Sequence, residues 1–96
     1  MKNIEDKLAE YIAVLDSCEE KAAHANDRPI YTRHLAVAAV MFSDLHRTGS
    51  LTKLRECVQS ERRSYGWSYL SGPEGEQAEK AFDRFASFVE SSTLSI

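Results

Sequence analysis

Apolar residues recur along most of this chain at the three- and four-residue steps of an α-helix, and the pattern falls into four segments. In the first, Ile4, Leu8, Tyr11, Leu15, Cys18 and Ala22 alternate by four and three, with Ile12 beside them. That spacing predicts a helix over about residues 3–24. Glu5, Asp6, Glu10, Asp16, Glu19 and Glu20 occupy its other positions, so its outer face is acidic. The second segment, about residues 29–47, is the most apolar: Tyr31, Leu35, Ala38, Phe42 and Leu45 form a stripe that Ile30, Val37 and Met41 widen. A helix apolar over most of its circumference must be covered on most sides, which predicts a central helix. Leu51, Leu54, Val58 and Tyr65 mark a third helix, with Cys57 alongside. Ala78, Ala81, Phe82, Phe85, Phe88 and Val89 mark a fourth.

The breaks between segments carry turn and capping chemistry. Asn26-Asp27-Arg28-Pro29 reads as a short turn in which Asn26 or Asp27 caps the next helix and Pro29 suits its first turn. Gly49 is placed to close the second helix in the left-handed conformation, and Ser50 to cap the third. Ser71 and Glu74 have capping-box spacing, with Pro73 between them. Gly66 leaves open whether the third helix ends there or continues with a kink. No segment alternates like a strand between hairpin turns. Four amphipathic helices on short connections predict an all-α fold, a small four-helix up-and-down bundle or a close irregular relative. Residues 1–91 are expected to form one domain and residues 92–96 a frayed tail.

Composition narrows the class. The chain is 96 residues long, 43% hydrophobic and 28% charged, which suits one globular domain rather than a disordered segment. A net charge of −3 argues against a general nucleic-acid binder. The first and fourth segments hold the acidic excess, while the middle of the chain is mildly basic. Cys18 and Cys57 are too far apart in sequence for a CxxC pair and are expected to be buried, reduced thiols. The start, MKNIEDKLAEYIAV, lacks the apolar region and cleavage site of a signal peptide, and no run reaches the ~20 apolar residues of a membrane span. A cytoplasmic protein with no membrane contact is expected.

The richest surface chemistry lies at the far end of the third helix, where Arg55, Arg62 and Arg63 lie near Tyr65, Trp67 and Tyr69 in sequence. Arginine and large aromatics dominate protein-binding hot spots. The competing reading puts Tyr65 and Tyr69 in the core and pairs the arginines with the acidic helices. Glu61 falls in the stripe between Val58 and Tyr65; because the stripe drifts, its carboxylate is expected at the edge, facing water or an arginine. His24, His34 and His46 share no i, i+3 or i, i+4 spacing, and His34 reads as a hydrogen-bonded residue at the core edge. No phosphate loop, HExxH or GxSxG is present, so no enzyme activity, metal or cofactor is expected.

These features lead to a non-catalytic protein that acts by protein–protein interaction or self-association, with a homodimer as one form. In this it is similar to many small bacterial accessory proteins. The ten residues from Cys57 to Gly66, CVQSERRSYG, resemble a stretch in some small helical bacteriocin immunity proteins, which bind and block a toxin's active site. The likeness implies no residue roles. An immunity- or inhibitor-type protein whose acidic helices block a basic nucleic-acid-binding site is the alternative. A small enzyme or ligand-binding bundle, with a pocket lined by His34, Met41, Glu61 and Tyr65, is the third.

Overall fold

The computed structural model describes residues 2–22, 25–63, 67, 70 and 72–91. Tyr65, Gly66, Tyr69, Ser71 and the expected tail lie outside the described residues, and so does the capping box; the third helix ends at Arg62, ahead of Gly66. The elements are α1 (Lys2–Lys21), a 3-10 turn (Ala25–Asp27), α2 (Arg28–Thr48), α3 (Leu51–Arg62) and α4 (Gly72–Ser91). Among the described residues there is no strand.

The helix ends follow local chemistry. Gly49 adopts φ 64°, left-handed, and its N–H donates to the Leu45 carbonyl, closing α2. The Ser50 hydroxyl accepts from the Lys53 N–H at 3.3 Å and opens α3. The start of α2 departs from expectation. Asp27 precedes it in right-handed helical geometry and makes no side-chain cap. The 3-10 turn runs straight into α2, so the cap position lacks the extended backbone that side-chain capping needs.

The helices form a ring in which α1 and α3 each lie between α2 and α4. Side-chain pairs fix the directions. His46 meets Glu5 while Thr32 meets Glu19, so α1 and α2 are antiparallel. Tyr11 packs on Phe82 and Phe85 while Lys7 lies over Phe88, so α1 and α4 are too. The result is an up-and-down bundle, with its core on Ile4, Leu8, Tyr11 and Leu15 of α1, Leu54 and Val58 of α3, and Phe82, Phe85 and Val89 of α4. Cys18 is buried and Cys57 half-buried, both as free thiols. Burial raises both thiol pKa values, which keeps them protonated.

The second helix is not where its composition put it. It occupies one side of the ring, against α1 and α3, rather than the centre. Its buried line is Tyr31, His34, Ala38, Met41 and Leu45. Leu35 and Phe42, expected in that line, are only half-buried, while His34 replaces them inside. The apolar stripe is wider than the core can use, and the neighbours chose which part to bury.

Candidate functional site

Two arrangements stand out, one inside the bundle and one on its surface. Inside, α2 brings His34 against Glu61 of α3: the imidazole Nδ1–H donates to Glu61 Oε2 at 2.7 Å. The side chains are 0% and 4% exposed. The other carboxylate oxygen accepts from the Arg33 guanidinium at 3.4 Å. Glu61 therefore does not sit at a wet edge. It points into the core, where a histidine and an arginine one residue apart on α2 hold its two oxygens.

Trp67 closes this pair. Its ring stacks on the His34 imidazole, centroids 3.9 Å apart and planes within 11°, and the Phe82 ring lies tilted against it at 5.0 Å. The indole N–H donates to the Glu61 carbonyl at 3.1 Å. That carbonyl belongs to the last turn of α3, whose final carbonyls lack helical partners. Trp67 thus caps the helix and covers the buried pair at once. It is 8% exposed, a core residue rather than a surface anchor.

The arginines near it spread outward. Arg62 is bonded to Glu90 at 2.7 Å and Asp83 at 3.4 Å, and lies over the Phe82 ring. Arg63 is exposed and donates to the Gln59 carbonyl. Arg55 reaches the Val89 carbonyl at 3.5 Å. So Arg55 and Arg62 tie α3 to α4, Trp67 turns inward, and Tyr65 and Tyr69 lie outside the described residues. Of the four side chains expected around an inter-helix pocket, His34 and Glu61 meet and Met41 is buried nearby in the core; Tyr65 is again not described.

Further polar atoms are buried without a hydrogen-bond partner among the described residues: the Tyr11 and Tyr31 hydroxyls, His34 Nε2 and Glu74 Oε2. Burial raises the Tyr11 phenol well above its ordinary value, and the charge of Glu61 raises it further. The Tyr31 phenol is pushed up to about 12, first by burial and then by Cys18, Asp27 and Glu74. Both phenols stay neutral at any ordinary pH. Among the described residues no three His, Cys, Asp or Glu side chains are grouped to hold a metal ion.

The surface arrangement runs along α1 and α2. Ala9, Ile12, Ala13 and Asp16 of α1 face Leu35, Ala39 and Phe42 of α2 across an open groove of about 440 Å³. Polar pairs close its two ends, Glu19 with Thr32 at one and Glu5 with His46 at the other. Beside it Val40 is 55% exposed, next to exposed Ala36 and Ala39. Sequence periodicity counted these positions toward a covered helix; the signal that could have found the face is the run Leu35–Ser43, nine residues without an ionisable side chain. Among the described residues no helix is long and apolar enough to cross a membrane.

No known family, curated protein or solved structure matches this chain.

Proposed function

We propose that this protein is a non-catalytic helical domain that works by binding protein, and that its contact surface is the outer face of α1 and α2. The observation that supports this reading is α2. Its nine uncharged residues from Leu35 to Ser43 could fill a helix buried on all sides, yet the bundle covers only one side of them. Contiguous apolar surface rimmed by polar residues is characteristic of interaction sites. Here the rim is Glu5, His46, Glu19 and Thr32, and the interior is alanine and large aliphatic side chains with Phe42, and Asp16 toward one end. A groove with alanines along its walls lets another helix approach closely, with the groove's Ile12, Leu35 and Phe42 as the packing surface. The buried His34–Glu61 pair belongs to the scaffold in this reading, since the imidazole presents no exposed atom to a substrate.

Site-specific photo-crosslinking tests the face. A benzophenone side chain at Val40 is expected to give a discrete covalent protein adduct in cells, and one at Ser87, exposed on α4, is expected to give none. Equal yields at both positions, or no adduct at Val40, would refute the proposal.

A further inference from the structure

We infer that the occupant of the α1–α2 face is a second copy of this chain, seated about a two-fold axis parallel to the bundle. The inference rests on the protein-binding reading above and names its partner.

The register between the two helices decides the geometry. Glu5 lies beside His46 and Glu19 beside Thr32, and each pair of residue numbers adds to 51. A residue i of α1 is therefore level with residue 51 − i of α2. Asp6 is level with the last turn of α2, where Arg47 is exposed, and Glu20 is near the first turn, where Arg28 is exposed. Between these ends the outer face carries exposed Ala9, Ala13, Ala36 and Ala39, with Asp16 among them.

A symmetric dimer through this face has two simple forms. An axis perpendicular to the helices lays α1 antiparallel on α1 and α2 antiparallel on α2. Asp6 then meets Glu20 of the second copy and Arg28 meets Arg47, so like charges face each other at every end. An axis parallel to the helices lays each α1 on the α2 of the other copy. Asp6 then faces Arg47 and Glu20 faces Arg28, each twice by symmetry, and the apolar middle covers the apolar middle. Opposite charges facing each other favour this form, and like-charge contacts exclude the other. Asp16 is exposed at one end of the groove, level with Leu35 and inside the charged ends.

The size is adequate. A face of this 41 × 19 × 17 Å body covers on the order of 800 Å², about what each partner contributes to a standard interface. The alanines permit helix axes about 8 Å apart, close enough for dense packing.

Light scattering over a concentration range, with circular dichroism to confirm folding, tests the inference. The chain is expected to weigh twice its 10.8 kDa monomer mass. Ala39→Arg, at an exposed position, should leave the fold intact and weaken the dimer by about 30-fold or more, because its long side chain enters the alanine-lined contact where the helices of the two copies approach most closely. Asp6→Lys should weaken it about threefold to tenfold, and adding Arg47→Glu should restore it. A monomer at every concentration up to the millimolar range overturns the inference; if Val40 still crosslinks to another protein, the binding face survives and only its occupant is wrong. A dimer indifferent to both Ala39→Arg and Asp6→Lys, with no adduct at Val40, overturns both.

Discussion

The pair of His34 and Glu61 should be worth several kcal/mol to the fold, and nearly all of that should be conditional on both members being present. Glu61→Leu leaves the imidazole buried with neither nitrogen bonded to a described residue, since Nε2 already lacks a partner. Nδ1 is the imidazole nitrogen newly orphaned, and an orphaned buried group costs roughly 1–3 kcal/mol, so the expected loss is about 1–3 kcal/mol. His34→Leu leaves a carboxylate that is 4% exposed, with Arg33 at 3.4 Å as its remaining charged neighbour. Removing the bonded partner of a buried charged group typically costs about 3–5 kcal/mol. The double variant replaces the pair with two apolar side chains that can pack beneath Trp67, and its stability should return to within about 1.5 kcal/mol of the parent. A domain of this size has a total stability of about 5–10 kcal/mol, so each single change removes a large fraction of it. Urea unfolding reports the losses, followed by far-UV circular dichroism and by the fluorescence of Trp67, the one tryptophan in the chain. Its ring stacks on His34, so its emission monitors the same place. Losses in the single variants that add in the double, or a single variant within about 1 kcal/mol of the parent, would refute the assignment of a coupled pair.

Two further outcomes follow from local chemistry. The Tyr31 phenol is raised from 10.0 to about 12, so between those values the folded chain keeps a proton that the unfolded chain has lost, and stability must fall as pH rises through that window. The Tyr31 share of the loss is about 2–3 kcal/mol; Tyr31→Phe should remove that share and make the alkaline slope shallower, the raised Tyr11 phenol supplying the rest, while changing stability at pH 7 by less than about 1 kcal/mol, and an unchanged slope in urea titrations would argue against it. Gly49→Ala places a Cβ at φ 64° and should cost about 1–2 kcal/mol in thermal or urea unfolding, whereas an unchanged midpoint would mean the α2–α3 turn rearranges freely.

Much of the architecture was legible in the sequence. The period of the apolar residues set the number of helices, and Gly49 and Ser50 marked a helix boundary because their chemistry is local: a left-handed cap and a side-chain acceptor act within a turn of themselves. The antiparallel ring followed from short connections, which favour antiparallel neighbours. Where the stripe was narrow, as in α1, the predicted and observed core residues agree, with Ile4, Leu8, Tyr11, Leu15 and Cys18 all buried.

Only the tertiary structure could decide the rotation of α2. A stripe that spans Ile30 to Leu45 on nearly every side has no unique inward direction, so packing against α1 and α3 chose His34 and Met41 for the core and left Leu35, Phe42 and Val40 toward the surface. The same choice made the candidate site. Glu61 read as an edge residue because the energy of burying a carboxylate depends on a partner 27 residues away, and no periodicity reveals that His34 will arrive within 2.7 Å of it. Trp67, which local sequence placed among exposed arginines, turned inward because it found an imidazole to stack on and a helix-end carbonyl to bond. Periodicity says which residues share a face. Which face meets another is settled by the partners that fold across from it.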